Sequence, residues 1–209
     1  NTVVVLHNGS PVIMPWLNQV AAVLEMYLAG EAVGEATADL LFGDVNPSGK
    51  LAETFPLRLH DTPSYLDFPG DGRTVNYRED IYVGYRWYDA REIAVAFPFG
   101  HGLSYTNFTY TGIELDQTHL DSSVTVRVKN TGKCAGKEIV QLYVHSPPGA
   151  QDAPRPPKEL KGFSKLELEP GEEKAAQFRL DARSFAYYET RLSGWYVPSG
   201  LYTILAGGS

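Results

Sequence analysis

The chain has 209 residues, of which 43% are hydrophobic, 21% charged and 12% aromatic, with a formal net charge of -7 and no basic block. That length can bury a sizeable core in one large domain or two smaller ones, while the acidic balance argues against nucleic acid or an anionic membrane surface as the main partner. No stretch reaches the ~18 consecutive apolar residues of a membrane-spanning helix, the first residues lack the flanks of a signal peptide, and Cys134, the one cysteine, excludes an internal disulfide.

Thr2-Val3-Val4-Val5-Leu6 is apolar on both alternating faces, which predicts a strand buried on both sides, as in a parallel sheet covered by helices. Such a strand needs neighbours, and the preceding strands are expected in a segment outside these residues. After a loop at Asn8-Gly9-Ser10-Pro11, Pro15 suits a helix start, and Leu17, Val20, Val23, Leu24, Tyr27 and Leu28 recur at spacings of three and four. A helix is therefore expected from Trp16 to Ala29, then a shorter one from Gly34 to Phe42 ending at Gly43. Asn46-Pro47-Ser48-Gly49 is a turn signal, and Leu51 to Phe55 reads as a short strand ended by Pro56. Residues 1–56 thus describe the last part of an α/β layered domain, since a whole one needs about 100 residues.

Residues 57–112 carry little regular pattern but many Pro, Gly and Tyr, and read as a wrap between two domains, with Ile81 to Trp87 strand-like. From Ile113 the pattern changes to short strands separated by turns. Val124 to Lys129 alternates strictly, Asn130-Thr131-Gly132 is a turn, and Glu138 to Val144 and Ala175 to Leu180 are further strands. Gly194 to Ala206 carries a last pair broken by Pro198-Ser199-Gly200. Residues 113–209 are therefore expected to form an immunoglobulin-like or fibronectin type III-like sandwich, so the fold class is α/β followed by all-β. Cys134 reads as a small hydrophobe in or near a strand.

The polar residues give few chemical signals. Glu31 and Glu35 fall at i and i+4 beside a helix start, where negative charge is favourable, and Asp44 precedes a turn in which it can bond its own backbone. His101, between two glycines, reads as a loop histidine holding a domain junction. Ser10 and Ser48 lack the Gly-x-Ser-x-Gly context or a partnered base that a nucleophile needs, and no Cys or His spacing suggests a metal site. Glu79 and Asp80, with Arg78 and Arg86 nearby, suit either an ion-pair cluster or the rim of a cleft. Trp16, Trp87 and the surrounding tyrosines suit packing or stacking on a ligand ring.

Taken in order and spacing, "VVVLHNGSPVIMPW", "ADLLFGDVNPSGKLAETFP", "YREDIYVGYRWYD" and "FPFGHGLSYTNFTY" resemble the second half of the α/β sandwich domain of glycoside hydrolase family 3 β-glucosidases. "VKNTGKCAGKEIVQLYV" and "RPPKELKGFSKLEL" are similar to the fibronectin type III-like domain that ends many of those enzymes. The chain departs from the family at Gly30-Glu31-Ala32-Val33-Gly34, where Gly-Gln-Glu-Gly-Gly is common, and at Asp80, where Gly is common.

The resemblance implies a retaining glycosidase, which needs two carboxyl groups roughly 5 to 5.5 Å apart. It further implies that the nucleophile is an Asp on an N-terminal barrel and the acid/base a Glu on a loop preceding the opening strand. Neither motif is in this sequence, so no catalytic residue is assigned here. Glu79, Asp80, Arg86 and Trp87 are the substrate-contact candidates, at the cleft rim. No cofactor or metal is implied, and the expected partners are the remainder of the same enzyme and an oligosaccharide or glycoside. A homo-oligomer is compatible with all of this, and a secreted, periplasmic or cytoplasmic location stays open. Two alternatives stand beside this reading. One is a non-catalytic carbohydrate-binding or structural module, with "SPPGAQDAPRPP" as a loop toward substrate; the other is a parent enzyme acting on β-xylosides or arabinosides.

Overall fold

The computed structural model describes residues 1–117, 119–147 and 154–208, and the chain falls into two compact units. Unit 1 comprises Asn1–Pro47 and Leu51–His101; unit 2 comprises Ser48–Lys50 and everything from Gly102 onward. Part of the "SPPGAQDAPRPP" loop, residues 148–153, lies outside the described residues.

In unit 1, β1 (Val3–Leu6) pairs in parallel with β2 (Ala22–Glu25), from Val3↔Ala22 to Leu6↔Glu25. The expected helix from Trp16 to Ala29 does not form. A single 3-10 turn at Leu17–Gln19 is followed by β2, and the amides of Ala21 and Met26 donate to the carbonyls of Thr2 and Leu6. The apolar spacing that reads as one helix face fits a strand equally well over so short a run, and an extended partner satisfies the backbone of β1. The second helix does form, as α1 (Val33–Phe42), and stops at Gly43, whose φ of 85° is the left-handed conformation glycine adopts without cost.

The expected strand from Leu51 to Phe55 shrinks to β3 (Phe55–Pro56), paired antiparallel with β4 (Val95–Phe97). Ile81 to Trp87 is not strand-like. Gly84, at φ 55° and ψ -134°, breaks the run, and α2 (Tyr85–Ala90) follows it. Aromatic and β-branched residues there favour a strand, but Tyr88 is buried and the Trp87 indole is tied down, so tertiary contacts override propensity.

Unit 2 is a sandwich of two three-stranded antiparallel sheets. One has the order β5 (Phe108–Leu115), β6 (Ser122–Asn130), β9 (Glu173–Leu180); the other has β12 (Thr203–Gly207), β7 (Gly136–His145), β8 (Glu159–Leu168). Strand β8 is absent from the sequence-based reading. α3 (Ala182–Phe185) follows β9, and β10 (Tyr187–Glu189) pairs with β11 (Gly194–Tyr196) as a separate ribbon. The expected last pair within Gly194 to Ala206 is therefore two strands with different partners, β11 beside β10 and β12 beside β7. Strict alternation puts Val124, Val126 and Val128 of β6 inward, against Val140, Leu142 and Val144 of β7 and Ala176, Leu180 and Phe185.

Two buried polar clusters fix this sandwich. Asn130 is 0% exposed, donates to the carbonyls of Cys134 (2.9 Å) and Leu168 (3.0 Å), and accepts from the Thr106 hydroxyl (2.7 Å) and the Gly132 amide (3.0 Å). It uses both ends of its amide to hold the β6–β7 turn. Cys134 lies exposed in that turn instead of packing as a hydrophobe, because the turn backbone, not its side chain, faces Asn130. The second cluster joins Lys50 Nζ to Glu138 Oε2 (3.1 Å) and to the Gly102 carbonyl (2.8 Å), while the Tyr110 hydroxyl donates to Glu138 Oε1 (3.0 Å). Burial first, then the Glu138 charge, pushes the Tyr110 phenol far above its ordinary range, so it stays a donor.

Asn130→Ala is expected to cost about 2–4 kcal/mol, since it strands several buried donors and acceptors at once. The exposed neighbour change Thr131→Ala is expected to stay within about 0.5 kcal/mol. Chemical denaturation of the two variants beside the parent measures both.

Candidate functional site

The candidate site of unit 1 is built on α2 and on the turn that precedes β3's return partner. The Arg58-x-x-Asp61 spacing closes a 3-10 turn at Leu59–Asp61. The Arg58 guanidinium grips the buried Asp61 carboxylate at two points, Nε to Oδ2 at 3.0 Å and Nη2 to Oδ1 at 2.8 Å. That fork fixes the turn so that the Asp61 carbonyl accepts from Trp87 Nε1 at 2.9 Å. Arg91, one turn further along, lies over the Trp87 ring at 5.4 Å from its centroid. Beside this, Tyr85 stacks on Phe99 and Phe97 on His101, each with ring centroids 5.0 Å apart, and the Phe99 amide donates to the buried Thr54 hydroxyl at 3.2 Å.

Among the four rim candidates, Trp87 is the one these contacts organise. Arg86 is half-buried on the same helix. Glu79 and Asp80 form the next turn upstream, where the Asp80 amide donates to Tyr77 and the Tyr82 amide to the Glu79 carbonyl. The expected cluster of Glu79 and Asp80 with Arg78 is not what forms, because Arg78 Nε pairs with Asp67 Oδ1 at 3.1 Å. Glu79 Oε2 is instead buried with no hydrogen-bond partner among the described residues. Asp80 is exposed at φ 51°, a left-handed position, which accounts physically for glycine being common there in the family it resembles.

The other polar candidates are spread out. Glu35 sits in the first turn of α1, as a dipole role requires, while Glu31 precedes the helix cap and is exposed, as is Asp44 beyond Gly43. The Ser10 carbonyl accepts from Asn8 Nδ2, and in unit 2 the Ser48 hydroxyl accepts from Lys165 Nζ. Trp16 is half-buried at the cap of the 3-10 turn. No group of three or more His, Cys, Asp or Glu able to hold a metal occurs among the described residues, and no helix is long and apolar enough to cross a membrane. Asp61 and Arg58 escaped the sequence reading. Their only signal is an i,i+3 pair of opposite charge, which surface turns carry just as often.

Residues 1–105 match the glycosyl hydrolase family 3 C-terminal domain and residues 138–209 match the fibronectin type III-like domain. The chain therefore belongs to glycosyl hydrolase family 3, in the C-terminal region of such enzymes. It is 57% identical over 213 residues to thermostable beta-glucosidase B of Acetivibrio thermocellus, covering 100% of this chain and 28% of that protein. It is 44% identical over 211 residues to an exo-alpha-(1->6)-L-arabinopyranosidase of Bifidobacterium longum, with the same coverage of 100% and 28%. The structure of the beta-glucosidase from Kluyveromyces marxianus in complex with glucose superposes with a TM-score of 0.95 at 43% identity, over 100% of this chain and 25% of that one. The Bifidobacterium adolescentis GH3 beta-glucosidase gives 0.94 at 44%, over 99% and 31%. The chain spans about a quarter to a third of the length of the relatives it matches.

Two expectations follow from the geometry. The Arg58 hydrogen bonds hold the Asp61 carboxyl below the ordinary carboxylate range, so their stabilisation is present above about pH 4 and is lost as pH falls through the lower folded value. Arg58→Gln removes that depression. The acid-induced shift of the Trp87 indole resonance, followed by NMR, is then expected at higher pH in the variant than in the parent. At Asp80, Val is expected to destabilise by about 1–2 kcal/mol and Gly to leave stability unchanged or raised, read from thermal unfolding.

Proposed function

We propose that this chain is the C-terminal part of a retaining β-glucosidase that removes terminal non-reducing β-D-glucosyl residues from glycosides. In this reading it completes the domain that carries the acid/base loop and braces the catalytic barrel. The observation that supports it most is the apolar surface of unit 1. Leu28, Phe42 and Leu66 are 80%, 85% and 88% exposed, and β1 and β2 form a parallel pair with no fully buried residue in either strand. Parallel strands are stable only with both faces covered, so unit 1 has the surface of a layer made to be packed against more protein. The greater length of the relatives supplies that protein.

The catalytic nucleophile and acid/base belong, on this proposal, to the part of the polypeptide beyond these residues, held the roughly 5 to 5.5 Å apart that retention requires. Glu79, Asp80, Arg86 and Trp87 are proposed at the rim of the sugar cleft, with Trp87 oriented by Asp61 and Arg91 and so able to offer an edge or face to a sugar. A second reading is favoured by one observation, the likeness to an arabinopyranosidase at an identity comparable to that of several β-glucosidases. It gives the parent enzyme an L-arabinopyranoside substrate.

The test compares the 209-residue chain with the full-length polypeptide on aryl β-D-glucosides and aryl α-L-arabinopyranosides. The short chain is expected to match the buffer rate, and the long one to turn over the glucoside faster. Turnover by the short chain that a substitution within it abolishes overturns the proposal. A preference of the long form for the arabinoside selects the second reading. Retardation of the short chain in soluble glucan gels, without hydrolysis by the long one, selects a non-catalytic binding module.

A further inference from the structure

The ribbon of unit 2, β10 paired with β11, is a sheet of its own beside the two sheets of the sandwich. Two strands alone are marginal in water, so side chains must hold them in place. Tyr187 lies opposite Tyr196 and Tyr188 opposite Trp195, which puts one aromatic pair on each face of the ribbon. The Tyr187 face is the anchor. The Arg155 side chain, 7% exposed, lies over the Tyr187 ring at 5.7 Å from its centroid and donates from Nη1 to the Phe185 carbonyl at 2.9 Å. The Tyr187 hydroxyl donates to the buried Glu189 carboxylate at 3.1 Å, and that carboxylate also accepts from the backbone amide and Nε of Arg191, which closes the turn.

The other face is left half in water. Tyr188 and Trp195 meet edge to face with centroids 5.4 Å apart, are 50% and 53% exposed, and carry the Arg183 guanidinium over the indole. Rings already fixed by their neighbours lose little conformational freedom when a ligand stacks on them. The size of the surface limits what that ligand is. At roughly 150–250 Å² per aromatic side chain, two half-exposed rings offer about 200 Å², far short of the ~800 Å² per partner that a specific protein interface needs. Such an area suits the CH-bearing faces of one or two pyranose rings, and the guanidinium beside it supplies donors for ring hydroxyls.

We propose that the Tyr188–Trp195 face of this ribbon is a carbohydrate-binding surface that takes the pyranose rings of a β-glucan by stacking. The choice of a β-linked glucose chain rests on the glycosidase reading above, and it fits the chemistry, because such a chain has equatorial hydroxyls and apolar ring faces. The surface itself involves none of Glu79, Asp80, Arg86 and Trp87. A second contact to the same polymer raises its effective concentration at the enzyme and takes no part in bond cleavage.

Affinity electrophoresis of the full-length polypeptide through gels containing hydroxyethylcellulose, beside its rate on an aryl β-D-glucoside, tests the surface. The parent is expected to be retarded, Trp195→Ala and Tyr188→Ala each to raise the dissociation constant about 3- to 10-fold, and Trp195→Phe to keep most of the affinity. All three variants are expected to unfold near the parent temperature and to hydrolyse the aryl glucoside at the parent rate. An unretarded parent overturns the proposal, as do folded alanine variants that bind in full or a folded Trp195→Ala that loses hydrolysis in step with binding. The Trp195 indole resonance of the unaltered protein is expected to shift when the same polymer is added, and an unmoved resonance overturns the proposal whatever the variants do. If binding depends on Trp195 but the full-length protein hydrolyses no glycoside, the glycosidase reading falls and the surface stands. If the aryl glucoside is hydrolysed and Trp195→Ala changes nothing, the surface alone fails.

Discussion

Parallel strands cannot leave a face in water, because each carries apolar side chains on both sides and has no polar face to turn outward. In unit 1 this constraint governs more than β1 and β2. With little interior of their own, the elements of this unit are held by polar and aromatic fastenings: the Arg58–Asp61 fork, the Trp87 indole on the Asp61 carbonyl, the Tyr85–Phe99 stack. Such directional contacts keep loops in place while leaving large apolar side chains at the surface. The candidate site inherits its order from them, for α2 is too short to be stable by helix propensity and is positioned by what its Trp87 and Tyr88 touch.

Unit 2 solves the same problem differently. Its valines alternate, so one face of each sheet is self-sufficient, and two of its buried polar groups, Asn130 and Glu138, are satisfied internally. Where that scheme falls short is local, at the β5 side. The two units thus differ in how much apolar surface they leave in water, one over a layer and the other at Ile113 and Leu115 of a single strand.

The sequence made unit 2 largely legible, because period-two alternation in β6, β7 and β9 is a signal that competing structures do not share. Strand β8 was harder to read, since its glycine and its mix of Lys, Glu, Phe and Ser obscure the alternation that pairing with β7 reveals. In unit 1 the signals were ambiguous in a physical sense. Val20, Val23 and Leu24 satisfy a helical and an extended pattern alike, and the choice was made by β1, a partner distant in sequence. The same holds for the site: Trp87 was visible as a candidate, but its fixing partner is a backbone carbonyl, which no side-chain pattern can announce. Asp80 was visible as a departure whose meaning came only with its backbone angle.

The Lys50–Glu138 ion pair limits where the sandwich can be cut from the rest of the chain. Ser48–Lys50 belong to unit 2, although the residues on either side of them belong to unit 1. The sandwich is therefore not a cassette that recombination could lift out at the Gly102 junction. A copy cut there would carry Glu138 inside with its cation left behind in the donor gene, and a buried carboxylate without a counter-charge is among the most destabilising lesions a small domain can suffer. A sandwich expressed by itself therefore keeps this ion pair only if Lys50 is kept with it.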